Sequence, residues 1–353
     1  MTHHSPQPPL EQPPAGAFRF NADSSKMEYY DGNQWVYLTT NSSKDDSSYG
    51  TRGIIFGGYV GPASTQNIDV INIATTGNAV QQGSTGTNQY MSGSSASRTR
   101  GVFGGGYASG AQDAIHALII SSGGNAFGFG DLSSNRFGSG GGSDQTRAIF
   151  FGGSTGPSTS ANGVNLIEYV TFTHTGNAID FGDLNYGPCL GNSGPLNSPV
   201  RAFSCGGTAG PARSNTIEYV HTQTLGNATN FGDISLDVSG TSTGSNAVRG
   251  IINLGYSPNG SPSNFVNTIE YITFTTLGNS IDFGDIGSAI SSQGGLSSTT
   301  RTVFAGAQTS GDAQSNVIEW VTIMTLGNAL DFGDLTSVRK SCPTCSNGHG
   351  GLG

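Results

Sequence analysis

The chain has little charge, few basic residues and no long hydrophobic run. Of its 353 residues, 14 are Lys or Arg and 23 are Asp or Glu, which gives a net charge of -9. A chain with so few basic residues lacks the positive surface that nucleic-acid binding requires. No apolar stretch approaches the length of a membrane span, and the N-terminal segment lacks the apolar part of a signal peptide. We therefore expect a protein that is made in a cytoplasm, binds no nucleic acid and does not insert into membranes.

Cysteine is scarce, with only Cys189, Cys205, Cys342 and Cys345. A disulfide-built scaffold would need many more for a chain of this length. The "CPTC" at 342–345, followed by His349, looks like half of a zinc site, but a structural site needs four ligands and the sequence offers no second pair. We therefore favour a plain reduced pair, with bound zinc as the alternative.

Catalytic groupings are missing as well. His116, His174 and His221 are scattered over different parts of the chain, and no Ser-His-Asp or G-x-S-x-G arrangement occurs. The glycine-rich "GVFGGG" lacks the Lys-Ser/Thr of a phosphate-binding loop. A galactose-oxidase-like enzyme would need grouped Tyr, His and Cys ligands, which are also absent. The sequence thus predicts no enzyme, no cofactor and no bound metal.

Glycine is abundant, with 56 residues, and it marks a long internal repeat. Six Gly-Asn pairs recur at steps of 47 to 52 residues, and each follows an apolar stretch such as "LIEYVTF". Upstream of each stretch lies an Arg followed by an apolar run that ends in glycine. These arginines are Arg52, Arg100, Arg147, Arg201, Arg249 and Arg301. A repeat of about fifty residues over 51–335 is typical of β-propeller blades.

Each part of the repeat predicts a structural element. "IEYVTF" carries apolar side chains on both faces, as a strand does when it is sandwiched between neighbouring blades. The Gly-Asn pair predicts a tight hairpin turn. "AIDFGDL" is the returning strand, whose Phe (for example Phe181) packs between blades and whose Gly-Asp ends in a carboxylate-capped turn. The glycine doublet permits close approach between backbones.

We therefore predict an all-β fold in which residues 46–353 form a six-bladed, kelch-like β-propeller. The strand before each repeated Arg is the first strand of its blade, so blade one must receive that strand from elsewhere in the chain. The expected donor is the C-terminal stretch 335–348, which follows the last repeat. The alternative donor is "QWVYLTTN" at 34–41.

A second set of repeated residues is acidic: Asp131, Asp183, Asp233, Asp285 and Asp334. Paired carboxylates carry out chemistry when they converge on one pocket in different environments. Asp placed once per blade around a ring does not converge. We expect these residues to be structural, either capping turns or holding the repeated Arg between blades.

The N-terminal region is organised differently. Residues 1–15 are rich in proline and predict an extended or PPII-like arm. Residues 16–45 predict a small three-stranded β-meander, which buries too little area to be stable without a surface to lie on. That surface would belong to a partner or to its own propeller. The meander offers six candidate aromatic anchors for docking: Phe18, Phe20, Tyr29, Tyr30, Trp35 and Tyr37.

Two kinds of sequence motif in this chain resemble motifs of known protein families. "RFNADSSKMEYYDGNQW" resembles a module near the starts of many tailed-phage fibre and other virion proteins. The repeats, as in "RGVFGGG" and "IEYVTFTHTGNAIDFGDL", resemble the kelch-like repeats of virion structural proteins from marine cyanophages and related phages, and "CSNGHGGLG" resembles their usual ending. The first repeat departs from the pattern, with "GNAVQQGST", as does the second, with "GNAFGFGDL".

The resemblance implies a non-enzymatic virion protein of a tail, baseplate, collar or head fibre. Its arm would dock on other virion proteins, in multiple copies of a symmetric assembly, and its propeller would face a host glycan or protein. The alternative is a lectin-like adhesin with one sugar pocket per blade. Such pockets need an exposed aromatic platform, whereas Trp320 occupies the repeat position of Tyr169, which indicates blade core.

Overall fold

The structure is a computed structural model, and it describes residues 13–21, 26–37, 50–156, 162–185, 194–209, 212–260 and 264–353. In these residues the regular structure is almost entirely β-strand, with two three-residue 3-10 helices at Ser310–Asp312 and Gly350–Leu352. The all-β prediction is confirmed for this part of the chain. No helix in it is long and apolar enough to cross a bilayer. The chain divides into two compact units, 1–46 and 47–353.

The first unit contains the predicted meander. Its strands are Phe18–Asn21, Lys26–Tyr30 and Trp35–Tyr37, paired antiparallel in that order. Asp31 begins the second turn, where its Oδ1 accepts hydrogen bonds from the backbone N–H groups of Asn33 and Gln34. This Asx-type turn reverses the chain within four residues and fixes the register of the last two strands.

In the residues described, the second unit contains six four-stranded antiparallel sheets, which we call sheets I to VI in the chain order of their repeated arginines. Sheet I contains Thr344–Ser346, Arg52–Phe56, Asn67–Asn72 and Val80–Ser84. Sheet II contains Gly93–Ala96, Arg100–Gly104, Gln112–Ile119 and Phe127–Arg136. Sheet III contains Gly140–Ser143, Arg147–Phe151, Leu166–Thr171 and Ile179–Asp183.

The remaining sheets follow the same plan, with one deviation. Sheet IV contains Arg201–Cys205, Thr208–Ala209, Ala212–His221 and Thr229–Val238. Sheet V contains Ser242–Ser245, Arg249–Asn253, Thr268–Thr273 and Ile281–Asp285. Sheet VI contains Gly294–Ser297, Arg301–Gln308, Gln314–Thr322 and Leu330–Asp334. In sheet IV the position of the first strand is taken by Asn197, which forms a single bridge to Ala202.

Sheet I is completed by the C-terminal end of the chain. Thr344–Ser346 pairs antiparallel with Arg52–Phe56, in register Cys345 to Ile54. This pairing agrees with the predicted donor, 335–348. The alternative donor is wrong for the described part of 34–41, because Trp35–Tyr37 pairs with Lys26–Tyr30 in the meander.

The apolar core is divided into six clusters, each built from two successive sheets. Ile54 and Phe103 meet between sheets I and II, and Ile55 and Val303 between sheets I and VI. The other four clusters lie between II and III, III and IV, IV and V, and V and VI. The repeated Phe of "FGD" (Phe181, Phe231, Phe283, Phe332) belongs to these clusters, as predicted. Each sheet is therefore buried on both faces.

The predicted Gly-Asn hairpin turn is wrong. The reversal lies before the pair, where the N–H of His174 bonds the carbonyl of Thr171, and the returning strand begins only at Ile179. Gly176 and Asn177 leave their own sheet and bond to the preceding one. A dipeptide that favours turns by propensity is here held by a neighbouring backbone, and tertiary contact overrides the local preference.

Candidate docking surface and the joints between sheets

The meander has two unlike faces. Phe18 and Phe20 are each 62% exposed, and with Met27 at 45% and Val36 at 39% they form an open apolar surface. Alternation along paired strands explains the grouping, because Phe18 lies opposite Tyr29, and Phe20 opposite Met27. We call Phe18, Phe20, Met27 and Val36 the meander surface. Four large apolar side chains so exposed on one small sheet are typical of a contact site.

The opposite face of the meander is occupied by its own polar and aromatic residues. Glu28, which is buried, accepts hydrogen bonds from Arg19 Nε at 2.7 Å and Asn21 Nδ2 at 2.8 Å. Hydrogen bonding from Asn21, together with Arg19, lowers the pKa of Glu28. The Arg19 guanidinium lies 4.2 Å from the ring centre of Trp35, which packs on buried Tyr30.

The structure therefore separates the six predicted anchors. Phe18 and Phe20 lie on the meander surface, and Tyr29 pairs with Phe18 at 5.8 Å between ring centres. Tyr30 and Trp35 pack on the other face. The side chain of Tyr37, the proline-rich residues 1–12 and Cys189 lie outside the described residues.

The repeated arginines join consecutive sheets through backbone carbonyls. Arg100 Nη1 bonds the carbonyl of Phe172, and the equivalent bond joins Arg147 to Thr222. The same contact recurs in the other sheets: Arg52 to Ser121, Arg201 to Phe274, Arg249 to Ile323, and Arg301 to Ile73. The last of these bonds joins sheet VI to sheet I. The prediction that these arginines pair with the repeated Asp is wrong, because no ion pair of the described residues joins a repeated Arg to a repeated Asp.

Four of these guanidinium groups also cover an aromatic ring of their own sheet. Arg301 lies 4.0 Å above Trp320, and Arg249 lies 4.1 Å above Tyr271. Arg147 and Arg201 cover Tyr169 and Tyr219 in the same way. One face of each ring is thus occupied by a cation–π contact. The aromatic position of the repeat is therefore a structural contact in these sheets.

We call a set of bonds that links two consecutive sheets a joint. The arginine bonds are the first kind of joint, and the Gly-Asn pair forms the second. In sheet III the N–H of Gly176 bonds the carbonyl of Phe129, that of Ala178 bonds Asp131, and Asn177 Oδ1 accepts the N–H of Asp131. All six joints of this kind share the pattern. The side chains that accept the backbone N–H are those of Asn78, Asn125, Asn177, Asn227, Asn279 and Asn328. The repeated Asp contributes its backbone here, so the predicted carboxylate-capped turn does not describe this contact.

A third joint uses an acidic residue that the sequence analysis did not single out. Glu168, inside "IEY", is buried, accepts the N–H of Ser133 and pairs with Arg136 at 2.5 Å. The carboxylate of Asp69, which is fully buried, accepts the backbone N–H of Thr336 and pairs with Arg339. Glu218, Glu270 and Glu319 accept a backbone N–H of the preceding sheet in the same way. The sequence does carry a signal for these residues, because an acidic side chain recurs at one repeat position inside an apolar strand. A buried charge must be paired, so such a position indicates a partner elsewhere in the fold.

The first strands of the sheets are linked to one another by small hydroxyl side chains. Ser94 Oγ donates to Thr344, Ser143 to Ala96, and Ser245 to Asn197, all on backbone carbonyls. These contacts explain why Ser, Thr and Gly replace charged residues, since the strands approach too closely for larger side chains. A Cβ on Gly141 would lie 2.0 Å from the carbonyl oxygen of Ser94.

The C-terminal tail, 347–352, lies buried against these first strands. His349 Nε2 lies 2.7 Å from the carbonyl of Ala96 and 3.2 Å from Ser143 Oγ, and Nδ1 accepts the N–H of Gly351. This arrangement requires the neutral imidazole with its proton on Nε2. Arg98 donates to the carbonyl of Leu352 and to Gly353.

The cysteine pair is buried on two sides of sheet I. Cys342 packs between sheets I and VI, and Cys345 between sheets I and II. Burial raises the pKa of the Cys342 thiol to about 11 and that of Cys345 further. Within the described residues, no group of three or more His, Cys, Asp or Glu could hold a metal ion. His349 takes its hydrogen-bond partners from the sheets and its own tail, so the three residues do not assemble a zinc site.

Neither the comparison with protein-family models nor that with curated proteins found a match.

Acid should destabilise this protein through His349. Burial lowers its pKa to about 4, below the value of about 6.5 in an unfolded chain. Between these values the unfolded state binds a proton that the folded state does not, so stability falls as pH drops from about 6.5 to 4. From pH 7 to 4.5 this residue should cost about 2.5 kcal/mol. Urea unfolding of the wild type and His349→Gln at both pH values measures it; equal acid losses would contradict the assignment.

Proposed function

We propose that this chain is a non-enzymatic structural protein of a tailed-phage particle, on which residues 46–353 display a closed, six-bladed β-propeller. Support for the closed propeller comes from the three joints and the apolar clusters, which link sheets I to VI in sequence and sheet VI back to sheet I. A ring of this kind leaves no free edge between its sheets and needs no catalytic residue to explain its repeats.

The observation that carries the docking role is the meander surface. A sheet of three short strands gains little stability of its own, yet it exposes Phe18, Phe20, Met27 and Val36 together. These side chains are 39–62% exposed, so their burial against another protein would contribute about half of the 1.5–3 kcal/mol that full burial of each supplies. The proposed partner is another virion protein, met by several copies of this chain in a symmetric assembly. The phage setting rests on the likeness of the repeats and the meander motif to virion proteins.

The lectin-like alternative, with one sugar pocket per blade, has less support. Its natural platform would be the aromatic position of the repeat. In sheets III to VI that ring is covered by the repeated arginine. A sugar would have to displace the guanidinium from each ring, and with it the carbonyl bond to the next sheet.

If the chain docks on another virion protein through the meander surface, that surface is needed for incorporation into particles. Removing residues 1–40 should leave a folded propeller that is missing from purified virions. The double variant Phe18→Ser/Phe20→Ser should be incorporated at least tenfold less than the wild type, by immunoblot of purified particles. Ile281→Ser is the matched control, because Ile281 is 58% exposed on an outer strand of sheet V. Normal incorporation of the truncated chain or of the double variant would refute docking through this surface.

A further inference from the structure

Three tyrosines lie side by side on the loops of sheets I and II. Tyr59 and Tyr90 have their ring centres 5.3 Å apart, and Tyr90 and Tyr107 are 5.7 Å apart. Phe137, which is buried, contacts Tyr107 edge-on at 5.2 Å. We call Tyr59, Tyr90 and Tyr107 the tyrosine arc.

Backbone pairing fixes the arc in place. Tyr59 exchanges two backbone hydrogen bonds with Lys340, and Tyr90 exchanges two with Tyr107. The equivalent pairs elsewhere are Phe137 with Ser154, Ser239 with Tyr256, and Ser291 with Gln308. The pair in sheet II is therefore the one with tyrosine on both sides among those the structure describes. Rings held in this way lose little entropy when a ligand binds.

The arc is not simply apolar core. Each of its rings is half-buried, and none of its phenol hydroxyls is bonded to another residue in the part of the chain that the structure describes. By contrast, the hydroxyl of Tyr256 in sheet V accepts a bond from Asn264. Burial, with the neighbouring phenols of Tyr107 and Tyr59, raises the pKa of Tyr90. The arc thus offers neutral donors and acceptors beside ring faces.

In the described part of the chain, the cation at the edge of the arc is paired. Lys340 lies 5.3 Å from the ring centre of Tyr59 and is paired with Asp312. Gln308 also donates to Asp312. A phosphorylated or otherwise anionic ligand would need unpaired cations, and the arc presents none. Half-exposed rings with a few placed polar groups favour a neutral ligand that combines apolar faces with hydroxyls.

We propose that the tyrosine arc is a binding site for a neutral oligosaccharide, with a pyranose ring against Tyr90 and sugar hydroxyls bonded to the phenols of Tyr59 and Tyr107. Neighbouring rings are inclined to one another by 55° and 54°, so the three ring faces point in different directions. This inference rests on the proposed display of the propeller on a particle. It deepens that function by giving the propeller one glycan site, at the divergent first two repeats.

The test uses the purified full-length chain on an array of neutral oligosaccharides built from glucose, galactose, mannose and N-acetylglucosamine. The strongest array ligand is then titrated by calorimetry. Tyr90→Ala should weaken binding at least tenfold. The triple variant Tyr59→Phe/Tyr90→Phe/Tyr107→Phe keeps the rings and should weaken binding severalfold through the lost hydroxyls. Tyr256→Phe, which removes a hydroxyl from sheet V, should leave affinity unchanged.

Any one of three results would overturn the proposal. The folded wild-type chain could give no array signal, the triple Phe variant could bind with unchanged affinity, or Tyr256→Phe could lose as much affinity as the triple variant. Preferential binding of a synthetic peptide with the sequence of residues 1–14 would replace the sugar with a proline-rich ligand. A chain lacking residues 1–40 should keep its sugar affinity, so failure of docking and failure of sugar binding are separate results.

Discussion

Deleting residues 337–353 is expected to lower the melting temperature by about 10 °C or more. The deletion removes Thr344–Ser346, the first strand of sheet I, and the buried thiols of Cys342 and Cys345. It also removes Arg339, which leaves the carboxylate of Asp69, at 0% exposure, without its ion-pair partner. Loss of one member of a buried pair alone costs about 3–5 kcal/mol. The effect should therefore far exceed that of losing a frayed terminus.

Thermal unfolding of the deleted chain, followed by circular dichroism, measures this loss. Deletion of residues 1–15 is the control for removing a similar length from the other end, and it should leave the melting temperature nearly unchanged. Arg339→Met removes the ion pair together with the bonds from Arg339 Nη1 to the carbonyls of Gly57 and Asn67. Arg339→Met with Asp69→Leu should recover part of the stability because no charge is left buried. A melting temperature within about 2 °C of the wild type after the C-terminal deletion would contradict closure of sheet I by this segment.

Much of the fold could be predicted from the repeat. Arg52, the apolar strands and the spacing of the Gly-Asn pairs locate the strands, and the missing strand of the first repeat pointed to the C-terminal donor. The repeat did not show which backbone each motif would contact. Gly176 and Asn177 have turn propensity, and their bonds to Phe129 and Asp131 depend on how one sheet lies against another.

The candidate sites were predicted less completely. Alternation in "FRF" is enough to place Phe18 and Phe20 on one face, but it cannot show that Trp35 is covered by Arg19. Glu168 was overlooked because a single acid in an apolar strand has no local partner in the sequence. Tyr59 and Tyr107 share one repeat position, seven residues after the repeated Arg, and Tyr90 lies in the linker between sheets I and II. The three rings become neighbours only when the sheets are arranged.

Two glycines of one strand should differ sharply in their tolerance of alanine. Gly128 and Gly130 both belong to Phe127–Arg136, and neither has a left-handed φ. A Cβ on Gly128 would meet nothing within 4 Å, whereas one on Gly130 would lie 2.0 Å from the carbonyl oxygen of Gly176. At Gly130 the glycine of "FGD" is thus required by the next sheet rather than by its own backbone angles. The equivalent Gly182, Gly232, Gly284 and Gly333 meet the same contact and also have φ values of +143° to +156°.

We expect Gly130→Ala to lower the free energy of unfolding by about 3 kcal/mol, because moving Gly176 away breaks three hydrogen bonds of one joint at about 1 kcal/mol each. Gly128→Ala should be neutral or stabilise by up to about 1 kcal/mol, through the reduced entropy of the unfolded chain. Asn177→Ala removes one of the three bonds without a steric clash and should cost about 1 kcal/mol. Urea unfolding of the three variants measures these differences. Equal stability of Gly128→Ala and Gly130→Ala would show that the joint contributes nothing, since the two substitutions differ in little except the backbone of the neighbouring sheet.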